Sequence, residues 1–326
     1  MLKYILKRLL NLIPVIFIIS ILIFATVRSM PGDPVNAYLG MGSKVTPEQK
    51  EVIREQLGLN GSMPEQYIRW AGRLVQGDLG ESIKYKKPVT ALIGDYIWNT
   101  FLLNLISLIV AVIVSIPIGI KQATKKYSKF DNFWTVFSLF GISVPTFFFG
   151  LVLVFFLSLQ LGLLPMNGMR DPIQAAFGYP NIFANIADVA SHMIIPVIVL
   201  AFGSFSSLSR YVRNAMIDVI NQDYIRTARA KGLKEKVVIY RHAFKNALIP
   251  LVTLLGAYIP SLFSGAMILE TVFLWPGLGW ILIEAINSRD LSVTTAVLLF
   301  SAVLMLLGNL LSDVLYSVVD PRIKSE

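Results

Sequence analysis

Six apolar segments, each about as long as a bilayer is thick, most constrain what this chain can become. They lie at roughly residues 9–28, 99–120, 136–161, 193–210, 248–270 and 292–316. A helix needs about 20 residues to cross the hydrocarbon core. The expected fold is therefore all-α and integral to the membrane, with six transmembrane helices. Composition points the same way: of 326 residues, 55% are hydrophobic and only 15% charged, against about 25% charged in soluble domains. Prolines Pro14, Pro117, Pro145, Pro196 and Pro260 punctuate the segments, which membrane helices tolerate when neighbouring groups satisfy the freed carbonyls.

The N-terminal MLKYILKRLLNLIPVIFIISILIFATV has the positive start of a signal peptide but an apolar run of spanning length and no small-residue cleavage site after Val27. It reads as a retained signal anchor. The formal net charge of +9 would suit nucleic acid, but in a multi-pass protein the distribution of Lys and Arg reports orientation. Most of the 29 basic residues fall at the N-terminus (Lys3, Lys7, Arg8), between the second and third segments (Lys121 to Lys129), between the fourth and fifth (Arg210 to Lys245) and at the C-terminus (Arg322, Lys324). The short connections on the other side hold Arg170 and Arg289. Both termini are thus expected in the cytoplasm, with no nucleic-acid role.

The long segment 29–95 lies on the outer side in this topology, where long loops escape the charge rule. Its TPEQKEVIREQLGLNG places Thr46 as an N-cap, Pro47 as the first helical residue, Gln49 as the capping-box partner and Gly58 as the stop. SMPEQYIRWAGRLVQGDLG repeats the logic with Ser62, Glu65 and Gly77. The organisation read from the chain is a first spanning helix (1–28), an extracytoplasmic insertion with two short helices (29–95), a five-helix core (96–317) carrying a cytoplasmic loop at 211–247, and a cytoplasmic tail (318–326).

Chemistry of the chain's own is hard to find. There is no cysteine, hence no thiolate metal site or cysteine nucleophile, and His192 and His242 are too few for a histidine-rich site. The dipeptide Gly-Lys required by a phosphate-binding P-loop occurs nowhere. Ion-coupled carriers bury ionisable groups at mid-membrane, whereas these segments hold almost none, Asp313 near the end of the last being the main exception. The serines of GSFSS at Gly203–Ser207 sit on the same helix as His192, about 12 residues or roughly 18 Å away; small hydroxyl residues there suit close helix packing. No catalytic, cofactor or metal residue is expected.

DYIRTARAKGLKEKVVIYRHAFKNALIP, Asp223 to Pro250, is the basic loop between the fourth and fifth segments. Asp223 suits an N-cap, Tyr224 to Lys231 a short helix, Gly232 the left-handed position that ends it, and Lys234 to Ala247 a second helix. One reading is an amphipathic segment facing lipid. The other is a docking element for a cytoplasmic motor, with Ala228 and Ala230 keeping the helix thin enough to enter a groove.

RTARAKG at Arg226–Gly232, followed by RHAFKNALIP at Arg241–Pro250, resembles the EAA loop of ABC-transporter permeases in its oligopeptide, dipeptide and nickel importer version, with Arg226, Thr227 and Ala228 in the first three places. The resemblance runs the length of the chain: PGDP at Pro31–Pro34, GDLGES at Gly77–Ser82, GISVPTFFFG at Gly141–Gly150, ETVFLWPGLG at Glu270–Gly279 and VVDPRI at Val318–Ile323. It implies a type I ABC importer permease (MetI-like) in a prokaryotic cell membrane. Arg226, Thr227, Ala228, Ala230, Gly232 and Leu233 would couple it to an ATPase subunit. The implied partners are a second, similar permease, two ATPases that bind ATP and magnesium, an extracytoplasmic substrate-binding lipoprotein and membrane lipid. The implied cargo is a di- or oligopeptide, with nickel or a metal chelate as the alternative; a stand-alone ion-coupled carrier is the rival from another class. Phe273 and Trp275 at the membrane interface, with Pro276, Gly277 and Gly279 turning the chain, are candidates for an outer gate or a binding-protein contact. Path-lining residues are not legible.

Overall fold

Apolar runs become helices in lipid because each backbone group must find its partner within the segment, and the computed structural model follows that rule. It describes residues 2–39, 46–263 and 266–319. In chain order the α-helices are α1 (Leu2–Arg28), α2 (Pro34–Leu39), α3 (Pro47–Gln56), α4 (Met63–Val75), α5 (Val89–Thr124), α6 (Lys129–Ser143), α7 (Thr146–Leu153), α8 (Pro172–Phe177), α9 (Ile182–Ile220), α10 (Asp223–Ala230), α11 (Glu235–Val237), α12 (Lys245–Gly256), α13 (Met267–Val272), α14 (Leu278–Asn287) and α15 (Leu291–Val319). Among the described residues the only β pairing is an isolated bridge between Glu81 and Pro88. The tail 318–326 lies almost wholly outside the described residues.

Four segments are long and apolar enough to cross a membrane by themselves: Ile5–Arg28, Val89–Thr124, Ile182–Ile220 and Leu291–Val314. Two bent pairs, Lys129–Ser143 with Thr146–Gln160 and Glu235–Leu248 with Pro250–Leu262, bring the number to six if each pair is one span. The expected third segment, 136–161, is thus not one straight helix. The two halves meet at 104°, because Pro145 removes a donor and forces Val144 before it into extended backbone (φ −88°, ψ 128°). The fifth bends by 47°, its α-helix ends at Gly256 and a 3-10 turn follows at Pro260–Leu262, with Met267–Val272 a separate short helix instead of the continuation to 270. Other helices outrun their apolar stretch: α9 has 39 residues, roughly 58 Å at 1.5 Å per residue, about twice a bilayer core.

The chain divides into two compact units. The first holds residues 1–100, 263–271 and 276–310. Its two short helices form as their caps require. The Gln49 side chain accepts the Thr46 N–H at 3.0 Å, and Gly58 leaves α3 at φ +65°. The Glu65 carboxylate accepts the Ser62 N–H at 2.7 Å. α4 then lies along α1, with Tyr67 edge-on to Phe24 and its hydroxyl 2.8 Å from Ser20 Oγ. The unit's core joins Val89, Leu92 and Ile93 of α5 to Leu278, Ile281 and Leu282 of α14 and Val293 and Val297 of α15. GDLGES leads into it: Ser82 Oγ donates to Asp290 Oδ2 at 2.6 Å, and Asp290 Oδ1 accepts the Val293 N–H at the head of α15.

The second unit holds residues 101–262, 272–275 and 311–326, built around α9. α6 packs on α9 so closely that a Cβ on Gly141 would come within 2.9 Å of the Phe202 ring and overlap Ser206 Oγ. Ser138 and Ser209 meet at 3.1 Å across the same contact. The GSFSS serine Ser206 thus serves helix packing, as small residues do in membranes. At one end of this pair the Asp131 carboxylate receives Arg213 Nε at 2.7 Å and Nη2 at 2.8 Å, a bidentate fork.

Candidate functional site

Two segments carry the residues singled out in the sequence. The first is the basic loop. α10 starts one residue earlier than expected: Gln222, in extended backbone, is the N-cap, and Asp223 is the first helical residue, with its carbonyl accepting Thr227 Oγ1 at 3.0 Å. Gly232 ends the helix at φ +75°, its N–H donating to the Arg229 carbonyl. Only glycine occupies that left-handed position at no steric cost. The following helix is α-helical for one turn, π-helical over Val238–Phe244 and α-helical again from Lys245; π-bulges of this kind concentrate at functional sites.

α10 is pinned by Ile225 and Ala228, which are buried with Met216, Val238, Ile239 and Ala243 in the second unit's core. Here the structure corrects the expectation that Ala228 thins a face offered to another protein. Only 6% exposed, it instead lets α10 lie close on its own chain. Arg226, Thr227, Ala230, Gly232 and Leu233 are exposed, and Tyr224 and Lys231 join them. Arg229 forks onto Glu235 (2.8 and 3.2 Å), spanning the glycine turn; that carboxylate raises the guanidinium above its ordinary value.

The second segment is ETVFLWPGLG, which the structure reorganises around a residue overlooked in the sequence. Glu270 is fully buried. Its Oε1 accepts Thr100 Oγ1 at 2.8 Å, and its Oε2 accepts the N–H groups of Gly279 (2.7 Å) and Trp280 (3.1 Å) at the head of α14. Thr100 Oγ1 in turn accepts the Leu278 N–H, and Asn99 donates to the Pro276 carbonyl. A carboxylate at a helix N-terminus satisfies orphan donors and opposes the positive end of the dipole. The glycines are required by proximity: a Cβ on Gly277 would lie 2.5 Å from Thr100 Oγ1, and one on Gly279 2.5 Å from Met267 Cα.

Phe273 and Trp275, expected to face the membrane interface as an aromatic belt, are buried in the second unit. Trp275 lies against Leu103, Met193 and Val197. Phe273 packs on Gly150, where a Cβ would come within 2.9 Å of its ring. Neither presents a surface to another protein, and Gly277 and Gly279 are buried as well. The exposed residue of the stretch is Leu274, at 51% and φ +48°. One signal could have exposed Glu270: it is the only acid in the apolar segment 248–270.

A helical, multi-pass chain with an exposed helix, glycine turn and π-interrupted helix between two spanning segments is an integral membrane protein with one ordered element between its spans. The chain belongs to the family of binding-protein-dependent transport system inner membrane components: the family pattern matches residues 115–325, and the pattern for its N-terminal region matches residues 1–104. It is 43% identical to the oligopeptide transport system permease protein AppB of Bacillus subtilis, over 99% of this chain and 100% of that one. It is 38% identical to the dipeptide transport system permease protein DppB of Escherichia coli K12, over 99% of each. Among solved structures it resembles a chain of the MetNI methionine ABC transporter in an inward-facing form (TM-score 0.56, 18% identity, covering 71% of this chain and 97% of that one). That likeness is one of fold, the type I importer permease.

Proposed function

We propose that the chain is a permease subunit of an ATP-driven importer of di- or oligopeptides, coupled to its motor through the exposed face of α10. The observation that carries the coupling is the separation of α10 into two sides: Ile225 and Ala228 fasten it to the second unit's core, while Tyr224, Thr227, Ala230, Lys231 and Leu233 remain uncovered around a glycine stop. A helix fastened on one side and free on the other transmits a push to the spans behind it. Two ATPase subunits, binding ATP and magnesium, would draw together this helix and its counterpart on a second permease, shifting the spans between inward-open and outward-open states. A substrate-binding lipoprotein would deliver cargo on the opposite face, with both termini of this chain on the ATPase side. Peptide cargo is supported by the names of the full-length relatives AppB and DppB.

The test is uptake of a labelled di- or tetrapeptide into cells carrying wild type or Leu233→Asp, with co-purification of the ATPases measured in parallel. Loss of both in the variant, at unchanged membrane insertion, is expected. Undiminished uptake by Leu233→Asp would overturn the coupling assignment, and uptake of nickel in place of peptide would overturn the cargo.

A further inference from the structure

The PGDP turn closes one wall of a cavity in the first unit that transport coupling does not use. α1 ends at Arg28; the chain then turns through Pro31, Gly32 and Asp33 into α2. Between this turn, α3 and the head of α15 lies a space of about 420 Å³ lined by Arg28, Arg54, Arg289 and a single carboxylate, Asp33. Both oxygens of Asp33 are engaged, Oδ2 by Arg54 at 2.9 Å and Oδ1 by the Val35 N–H at 3.0 Å. Arg28 Nη1 is buried with no hydrogen-bond partner. Among the described residues no acid pairs with Arg28 or Arg289. The cavity's arrangement is built: a Cβ on Gly32, at φ +110°, would overlap the Arg289 guanidinium, and Arg289 itself holds φ +55°. Buried guanidinium nitrogens without an acceptor are costly, and Arg's planar fork matches phosphate.

A second space adjoins the first. Ile21, Phe24 and Ala25 of α1, with Met63, Pro64 and Tyr67 of α4, line an apolar groove of about 280 Å³, and Met63 borders both spaces. α1 is a membrane-crossing helix, and the groove descends from Arg28 by about two turns, roughly 10 Å. α4 beside it is amphipathic, exposing Ile68 and Val75 together with Arg69 and Arg73, the pattern of a helix lying in the membrane interface.

We propose that Arg28 and Arg289 bind the phosphodiester of an anionic phospholipid, one of whose acyl chains lies in the groove between α1 and α4. A cationic cavity at headgroup level continuous with an apolar groove at acyl level fits that molecule and no soluble anion equally well. Arg54 is held by Asp33 and shapes the cavity instead of competing for the ligand.

The full-length chain, purified in mild detergent with the subunits that accompany it, is stripped of lipid and titrated with phosphatidylglycerol, phosphatidylcholine, inorganic phosphate and trialanine, binding being read by native mass spectrometry and by melting temperature. Wild type is expected to retain one phosphatidylglycerol per chain and to melt higher with it, while Arg28→Gln/Arg289→Gln loses at least tenfold in affinity. Arg69→Gln, outside the cavity, is expected to behave as wild type. Ala25→Trp, which fills the groove from an exposed position and leaves the arginines in place, is expected to weaken phosphatidylglycerol without affecting phosphate. Equal retention of phosphatidylglycerol by wild type and both altered proteins would overturn the proposal. So would phosphatidylcholine, phosphate or trialanine binding as tightly as phosphatidylglycerol.

Discussion

The Glu270 carboxylate and the Gly279 N–H meet at 2.7 Å inside the first unit, nine residues apart in sequence and fully buried. That bond, with those from Thr100 and Trp280, turns an otherwise unusable acid into the anchor of the loop before α14. Replacing Glu270 with Ala strands three donors at once, each worth about 1–3 kcal/mol when buried and unpaired. We expect Glu270→Ala to lower stability by about 3–5 kcal/mol and Glu270→Gln, which keeps one carbonyl acceptor, by less than half of that. Thermal melts of the purified chain in detergent measure both; an unchanged midpoint for the alanine variant would contradict the anchoring role.

Asp131 and Arg213 make the other buried commitment, a two-pronged ion pair between α6 and α9. Removing one partner leaves a charge behind, which costs about 3–5 kcal/mol, whereas replacing both with apolar groups of similar volume is often neutral. Asp131→Ala should therefore destabilise strongly. Asp131→Leu combined with Arg213→Met should recover most of the loss. A double variant as unstable as the sum of its single changes would show that the two residues act independently.

What was legible in the sequence, and what was not, follows from the range of each interaction. Caps and stops at Thr46, Gln49, Ser62, Glu65, Gly77 and Gly232 depend on neighbours within a few residues, and all lie where the chain places them. The spans were legible as apolar runs, but the 104° break at Val144 and Pro145 was not, because proline is compatible with both a kinked span and a broken one. Ala228 looked like a small residue offered outward, since eight residues cannot tell which side of a short helix meets the core. Glu270 and Thr100 are 170 residues apart; only the fold brings them together, and with them the reason for Gly277 and Gly279. The burial of Phe273 and Trp275 was hidden for the same cause, being decided by α5, α7 and α9.

Glu65 gives a pH signature. The Ser62 N–H holds its carboxyl below the usual carboxylate range, about 4.3 in an unfolded chain. A depressed folded value contributes stability that is fully present above the unfolded pKa and is lost as pH falls through the folded one. Hydrogen exchange in the first turn of α4, corrected for intrinsic rates, should accelerate in wild type between about pH 5 and pH 3. Glu65→Gln should show a flat profile; a pH response surviving in it would assign the effect to another group.

Leu274 holds φ +48° with its side chain half in solvent. A left-handed conformation costs a branched L residue about 1–2 kcal/mol, and glycine nothing. Leu274→Gly should therefore raise stability by up to about 1 kcal/mol, after allowing for glycine's greater unfolded entropy. A melt no higher than wild type would mean that the leucine makes contacts outweighing its strain.

The two alanines of α10 separate docking from folding. Ala228 is buried against the core and Ala230 is exposed one half-turn further on. An aspartate at 228 must bury an unpaired charge, which costs several kcal/mol, so Ala228→Asp should lower the melting temperature of the isolated chain by many degrees. Ala230→Asp places the same charge in water, where surface substitutions change stability by about 0.5 kcal/mol or less, so its melt should match wild type. If the exposed face is where the ATPase binds, Ala230→Asp should nonetheless reduce ATPase co-purification and peptide uptake at least tenfold. A stable Ala230→Asp that transports at the wild-type rate would move the coupling contact off this face, and a stable Ala228→Asp would return Ala228 to it.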